Sequence, residues 1–321
     1  MIDKFQRLRG IIHEEGLVGG LQAIIRFIQW KRSKLVRKIL NPIFKWDFQR
    51  KHGRGIDVME QDWDNLIILD ACRYEEFESV FYNQGELHKV VSKGHESWGF
   101  MKANFVGRSL HDTVYITANP FSPKINNGVF HKMISLVDKW DDDIGTIWPS
   151  DVTEAAFQAS NEFPDKRIIV HFMQPHAPHL SLGNSKFNQA GFSQTWEEDA
   201  NSNKADGVKV WSAVKNGLIT DQDLYESYVN NLQIVKPFVR ELITGLKGKT
   251  VVTADHGENL GESRLGLKLY GHYYHTNETR FVPWLEIRDD LRKEVATSEP
   301  IGDVGPEHDV VNRRLNELGY L

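Results

Sequence analysis

The segment TVVTADHGE, residues 250–258, is a short apolar β-rich run followed at once by an aspartate, a histidine, a glycine and a glutamate. Apolar runs of this length, bounded by polar residues and glycine, are typical of buried β-strands. Four further runs share this character: Asn65–Asp70, Thr113–Thr117, Arg167–Phe172 and Phe281–Ile287. Helix-like stretches alternate with them: Glu75–Tyr82, Ser97–Val106, Thr153–Asn161 and Leu224–Leu246. This alternation predicts an α/β fold, a three-layer α/β/α sandwich around a mainly parallel sheet.

The composition bounds the class of protein. A chain of 321 residues that is 40% hydrophobic can bury a large core, and its net charge of -5 argues against a nucleic-acid binder. The single cysteine, Cys72, excludes an internal disulfide and a four-thiolate zinc site, and it fits a reducing compartment. The apolar runs are too short to span a bilayer, and the start of the chain lacks an apolar signal core. We therefore expect a cytoplasmic protein.

The charge is distributed unevenly along the chain. Residues 1–54 carry thirteen Lys or Arg and four Asp or Glu, a net +9, whereas the remainder carries 26 basic and 40 acidic residues, a net -14. The stretch Leu21–Leu40 has amphipathic helical periodicity. We predict a basic helical segment over residues 1–55, ahead of a catalytic domain over 56–321 with a polar insertion near 180–220. The basic helix either lies peripherally on an anionic membrane or packs on the catalytic domain with a solvated basic face.

Three of the predicted strands end in groups that can bind metal. Asp70 ends one strand, His176 and His179 follow another, and the sequence Asp-His-Gly-Glu from residue 255 follows a third. Ligands of open α/β sheets gather outside the carboxyl ends of the strands. Asp255 and His256 can face one cation if the chain turns at Gly257. The alternative is that Asp255 caps a helix and His256 bonds only to backbone.

Four stretches together resemble successive motifs of the alkaline phosphatase superfamily, especially its sulfatase-like branch: NLIILDACRYEEF, PHAPH, VVTADHGENLGE and GHYYHTNETRFVPWLEI. The resemblance implies that Asp70, Asp255 and His256 bind a metal ion. It also implies that His176 and His272 contact the substrate, donating to its oxygens or protonating the leaving group.

The nucleophile of that family is a Ser, Thr or formylglycine at the start of a helix. Ser97 opens a helical pattern, where free N–H groups favour an alkoxide and an incoming oxyanion, so we predict Ser97 as both nucleophile and metal ligand. The alternatives are Ser92 as nucleophile, or Ser97 as a mere helix cap. Cys72 lacks the Pro and Arg of a formylglycine motif, and we expect it to be a small buried side chain.

The remaining candidates concern the substrate and a second ion. His179 and His275 are further candidates for substrate binding, and Arg73 pairs either with an anionic substrate or with an acidic helix partner. Gln174 stands near the place where two-metal relatives carry an aspartate. We therefore expect one divalent ion, Mn²⁺ or Zn²⁺, with His179 and His272 leaving a second site open.

These residues predict a metal-dependent hydrolase or transferase that acts on a phosphate or sulfate ester through a covalent serine intermediate. The expected substrate is a small-molecule ester or one linked to a glycan or lipid. Two alternatives remain: a sulfatase that works without formylglycine, and a catalytically silent relative that binds an anion.

Overall fold

A computed structural model describes residues 38–82, 84–125, 127–182, 210–288, 291–302 and 308–317. The strands are β1 Asn65–Asp70, β2 Glu86–Val91, β3 Leu110–Thr117, β4 Phe130–Ser135, β5 Arg167–Pro175, β6 Thr250–Ala254, β7 Asn259–Arg264, β8 Leu267–Gly271 and β9 Phe281–Ile287. The helices are α1 (residues 38–52), α2 Tyr74–Val80, α3 Ser97–Asn104, α4 Pro149–Glu162, α5 Val210–Lys215, α6 Asp221–Gly245, α7 Asn277–Arg280 and α8 His308–Glu317.

Seven strands form the central sheet, in the order β2-β9-β6-β1-β5-β3-β4. The five neighbouring strands β6, β1, β5, β3 and β4 all run parallel. Strand β9 runs antiparallel to both of its neighbours, β6 and β2. Strands β7 and β8 form a separate antiparallel hairpin. The predicted α/β class with a mainly parallel sheet is therefore confirmed.

The sheet is buried on both faces. Along β1, Ile67 and Leu69 enter one hydrophobic cluster together with residues of α2, α4 and α6. The alternate residues Leu66 and Ile68 enter a second cluster with residues of α3 and α8. Because neighbouring side chains of a strand point to opposite faces, this division places helices on both sides of the sheet, as a three-layer sandwich requires.

The structure adds four strands to the predicted ones. β1, β6 and β9 have the predicted bounds, β3 begins earlier, and β5 runs on to Pro175. The added edge strand β2 has no buried residue, and it lacks the apolar run by which the other strands were found. The predicted insertion near 180–220 falls largely on residues 183–209, outside the described ranges.

Only the end of the predicted N-terminal helix is described. The stretch Leu21–Leu40 lies outside the described residues except at its last positions, and α1 continues from there. Phe48 of α1 is buried, 5.6 Å from the ring of Phe281 at the start of β9. Among the described residues, none of the helices combines the length and the apolar character that crossing a membrane requires.

Candidate active site

The site begins with two carboxylates that parallel strands place side by side. Leu69 of β1 pairs with Ala254 of β6, so the next residues, Asp70 and Asp255, leave neighbouring strands at the same edge of the sheet. Asp255 Oδ1 accepts hydrogen bonds from Ala71 N at 3.1 Å and from His256 N at 2.8 Å. These two backbone amides fix Oδ1 of Asp255, so Oδ2 is left to face the site.

His256 turns its other ring nitrogen toward both carboxylates. Its Nδ1 lies 2.8 Å from Gly257 O, which makes Nδ1 the donor and leaves Nε2 to face the site. Nε2 is 3.4 Å from Asp70 Oδ1 and 3.5 Å from Asp255 Oδ2. The turn requires glycine at position 257, because a Cβ there would lie 2.1 Å from Glu278 O.

Ser97 completes this cluster from the start of α3. Ser97 Oγ donates to Asp70 Oδ2 at 3.2 Å and lies 3.3 Å from His256 Nε2, and the side chain is fully buried. The helix cap is Glu96, whose carboxylate accepts from Trp98 N at 2.9 Å and Gly99 N at 2.6 Å. The expected free N–H groups of Trp98 and Gly99 are therefore occupied, because Glu96 supplies the negative charge that the helix start favours.

Asp70, Asp255, His256 and Ser97 form the first cluster, and this cluster fits a divalent cation. One carboxylate oxygen each of Asp70 and Asp255 (Oδ1 and Oδ2) is buried without a hydrogen-bond partner. One ligand atom each from Asp70, Asp255 and His256 can be chosen so that all three lie within 4.8 Å of one another. Buried carboxylate oxygens left without a donor are costly unless a cation or charge balances them. Oxygens with one imidazole nitrogen and a hydroxyl form a donor set suited to Mn²⁺ or Zn²⁺.

The ionisation of these residues reflects their mutual charges. Although burial opposes a charged ring, Asp255 and Asp70 raise the pKa of His256 to about 10. Burial also opposes a charged Asp255, yet His256 and His171 hold the pKa of this carboxyl below its ordinary value. The Asp255 carboxylate is thus ionised near neutral pH, and without a metal His256 is protonated.

A second cluster lies directly beside the first and consists of His176, Glu258 and His272. The rings of His256 and His272 are 4.6 Å apart between centroids, and those of His176 and His272 are 5.3 Å apart. Both carboxylate oxygens of Glu258 lie 3.2 Å from His272 Nδ1. Burial raises the pKa of Glu258 to about 8, while burial and the neighbouring His256 and His176 lower the pKa of His272 well below its ordinary value.

The hairpin explains how Glu258 and His272 meet. Asn259 at the start of β7 pairs with Gly271 at the end of β8, so the residues just outside this pair lie next to each other. The two-residue turn at the far end uses Leu265 and Gly266, both with positive φ. A leucine is an unusual first residue for such a turn, so the sequence gives only Gly266 as a signal for this hairpin.

Three predicted substrate residues are not in either cluster. Arg73 is ion-paired with Glu76 at 2.9 Å and with Glu262 at 2.6 Å. Glu76 lies on helix α2, so it is the kind of acidic helix partner named as one alternative for Arg73. His179 Nδ1 lies 2.8 Å from Ser227 Oγ, and the ring of His275 stacks on that of His95 at 3.9 Å.

The alternative nucleophiles make structural contacts instead. Ser92 is buried, and its hydroxyl donates to the backbone oxygen of Asp255. Cys72 is fully buried in the core, where burial raises the pKa of its thiol well above the ordinary value.

Gln174, near the place where two-metal relatives carry an aspartate, donates to Ile147 O at 3.1 Å.

Two residues of the site were absent from the predicted set. Glu258 stands in the quoted Asp-His-Gly-Glu run but received no role, because its partner comes from an unpredicted hairpin. Asn119 Nδ2 donates to Asp70 Oδ2 at 2.6 Å. Asn119 follows β3, and its position just beyond a strand of the same sheet is the signal that could have found it.

Solved structures resemble this chain at low identity. The integral membrane protein lipooligosaccharide phosphoethanolamine transferase A from Neisseria meningitidis aligns at 15% identity and a TM-score of 0.45, covering 88% of this chain and 59% of that one. The C-terminal periplasmic domain of phosphoethanolamine transferase EptC from Campylobacter jejuni aligns at 13% identity and a TM-score of 0.41. The alignment covers 70% of this chain and 78% of that one. A protein of the alkaline phosphatase superfamily from Vibrio parahaemolyticus aligns at 12% identity and a TM-score of 0.36. The alignment covers 79% of this chain and 65% of that one.

These comparisons correct one prediction. A cytoplasmic location is contradicted, because the structural neighbours include a periplasmic domain and an integral membrane protein.

No curated protein gives a significant match to the chain. The sulfatase family model matches residues 77–302, well over half of the sequence. The matched range includes Ser97, both histidines of the second cluster, and Asp255 with His256. Asp70, the remaining member of the first cluster, lies just ahead of it. The chain belongs to the sulfatase family.

Proposed function

We propose that this protein is a metal-dependent hydrolase or transferase that acts on a phosphate ester through a covalent intermediate on Ser97. One observation carries the proposal: the buried Ser97 hydroxyl lies 3.2 Å from Asp70 and 3.3 Å from His256, beside carboxylate oxygens that lack hydrogen-bond donors. A buried hydroxyl that serves only as a helix cap would bond to backbone amides, and Glu96 fills that role.

Asp70, Asp255, His256 and Ser97 are the residues that would hold one divalent cation, Mn²⁺ or Zn²⁺. When bound, such an ion lowers the pKa of a hydroxyl and neutralises charge on the transferring group. The orphaned oxygens of Asp70 and Asp255 support a single ion in the first cluster. A measured stoichiometry of two would assign the second ion to His176, Glu258 and His272.

The residues themselves supply the proton transfers. Ser97 Oγ forms a bond to phosphorus as the bond from phosphorus to the leaving oxygen breaks, and Asp70, which already accepts the hydroxyl hydrogen, takes up its proton. His272, whose ring lies 4.6 Å from that of His256, passes to the leaving oxygen a proton from Glu258, whose raised pKa of about 8 keeps its carboxyl protonated near neutral pH. Water or an acceptor alcohol then attacks phosphorus as the bond from phosphorus to Ser97 Oγ breaks. Its proton returns through His272 to Glu258, and Asp70 gives its proton back to Ser97 Oγ.

A sulfate ester is the less favoured substrate. Cys72 lacks the Pro and Arg of the formylglycine motif, so the usual sulfatase nucleophile is not expected there, and a sulfatase that works without formylglycine is the alternative. The proposed substrates are therefore phosphate esters, either small molecules or head groups linked to a lipid or glycan.

Intact-mass measurement tests the proposal. The metal-loaded protein is incubated separately with p-nitrophenyl phosphate, a p-nitrophenyl phosphodiester and p-nitrophenyl sulfate. Each reaction is quenched in acid, and peptide sequencing locates the modified residue. We expect turnover of a phosphate ester, a phosphoryl adduct on Ser97, and a loss of at least about a thousandfold in kcat/KM for Ser97→Ala.

Matched outcomes separate the alternatives. Ser92→Ala is the control, and its adduct should remain on Ser97. An adduct on Ser92 would contradict the assignment, and turnover of the sulfate alone would favour the sulfatase. Metal binding without turnover of any ester would favour a silent anion-binding relative.

A further inference from the structure

The helix α1 is fixed to the rim of the active site by its inward face. The ring of Phe44 meets Tyr274 edge-on at 5.6 Å, and Phe48 is buried against Phe281. The guanidinium of Arg280 lies 4.9 Å from the centre of the Phe48 ring. The helix is therefore held against the loop that follows β8, the end of α7 and the start of β9.

Asn41 connects this helix to both catalytic loops. Asn41 Oδ1 accepts from His275 N at 3.2 Å, and Asn41 Nδ2 lies 3.4 Å from His95 Nε2. His95 precedes Ser97 by two residues, and His275 follows His272 by three. One side of α1 therefore contacts the two loops that hold the proposed nucleophile and the proposed acid.

The opposite side of α1 exposes large apolar side chains. Ile39, Ile43 and Trp46 are 56%, 53% and 65% exposed, and their spacing places them on one face of the helix. Burying apolar side chains of this size is favourable, so three in one stripe mark a surface suited to an apolar partner.

Positive charge surrounds this stripe. Residues 38–52 contain four Lys or Arg and one aspartate, and that Asp47 is already paired with Lys51 at 2.6 Å. Arg50 lies 5.3 Å from the centre of the Trp46 ring. The remainder of the chain from residue 55 carries a net charge of -14, so an anionic surface attracts this helix and repels the rest.

We propose that the outward face of α1, formed by Ile39, Ile43 and Trp46 with their basic flanks, docks on an anionic phospholipid surface and holds the rim of the active site against it. An apolar stripe with a basic border is the signature of a helix that lies in the membrane interface, and tryptophan favours that position. The benefit to catalysis rests on the proposed function, since the site would then meet esters at the bilayer surface. The docking itself does not depend on it.

Vesicle flotation with the full chain tests the docking. Vesicles of phosphatidylcholine alone are compared with vesicles that also contain phosphatidylglycerol, at low and high salt. We expect flotation with the anionic vesicles only, weakened by salt, and a loss of at least about tenfold in partitioning for Ile43→Asp combined with Trp46→Asp. Leu218→Asp, which alters an equally exposed apolar side chain elsewhere, is the control and should float as the wild type does.

The outcomes separate this inference from the proposed function. Turnover of soluble p-nitrophenyl phosphate should be unchanged in the double variant, which also shows that it is folded, and Ser97→Ala should float without turnover. Absence of flotation in a protein that turns over the ester would overturn the docking alone. So would a double variant that floats normally, or one whose only change is the loss of a dimer in analytical ultracentrifugation. Flotation without turnover would overturn the proposed function alone.

Discussion

At the scale of single residues, the site depends on how each carboxylate oxygen is used. Asp255 gives Oδ1 to two backbone amides, and Asp70 gives Oδ2 to Ser97 and Asn119. The other oxygen of each remains without a donor. This division holds both side chains rigidly while leaving one oxygen of each for a cation, which is how outer contacts orient metal ligands.

Asn119 offers a test of that orientation. Removing its amide in Asn119→Ala frees the Asp70 carboxylate to rotate, and we expect metal affinity to fall by about 10–100-fold. Asn119→Asp also removes the donor to Asp70 Oδ2 but adds a negative charge that attracts the cation, so its affinity should fall less. Competition with a fluorescent chelator measures both constants, and an affinity that is unchanged in Asn119→Ala would show that Asp70 is held by other contacts.

The high pKa of His256 makes metal binding depend on pH. In the metal-free protein His256 is protonated below its pKa of about 10, and a metal must displace that proton to reach Nε2. We expect the apparent affinity to rise by roughly tenfold per pH unit between about pH 6 and pH 8, with release of one proton from His256. Calorimetry in buffers of different ionisation enthalpy counts the protons, and an affinity independent of pH would contradict this assignment.

At the scale of elements, strand register brings the ligands together and α6 holds one of the loops. Tyr228 of α6 is fully buried, donates to Ala71 O at 2.7 Å and accepts from Arg73 N at 2.9 Å. Ala71, directly after Asp70, has a positive φ of 60°. The tyrosine hydroxyl therefore satisfies the backbone of a turn that a non-glycine residue rarely adopts.

Tyr228→Phe should destabilise the fold. Losing the hydroxyl leaves Ala71 O and Arg73 N buried without a partner, which costs about 1–3 kcal/mol in the free energy of unfolding. Chemical denaturation measures the change, with Tyr82→Phe as the matched control because Tyr82 is 74% exposed and should show none. Equal stability of Tyr228→Phe and wild type would mean that water replaces the hydroxyl.

The sequence was sufficient for the elements whose pattern is local. β1, β6 and β9 are buried apolar runs, and the strand-ending positions of Asp70 and Asp255 followed from them. The exposed edge strand β2 and the hairpin β7–β8 have no such run. Glu258 and Asn119 were missed for a related reason, since their partners are set by hairpin register and strand order rather than by spacing along the chain.

At the scale of the whole molecule, the two clusters and α1 lie on connected parts of the structure. His272 links the clusters, and Asn41 joins α1 to the loops that follow Lys93 and Gly271. The basic helix α1 and the acidic remainder therefore meet at the active-site rim. The division of the chain at residue 55 stays a prediction, and the described helix packs directly on the catalytic part.

Anomalous X-ray diffraction from crystals of the Mn²⁺- or Zn²⁺-loaded protein measures the central feature itself. Strands β1 and β6 and the start of α3 should place one strong peak at about 2.0–2.3 Å from ligand atoms of Asp70, Asp255 and His256, next to Ser97 Oγ. The peak should vanish in Asp255→Asn crystals. A loaded protein whose only peak lies away from these four residues, or whose peak stays unchanged in Asp255→Asn, would contradict the account.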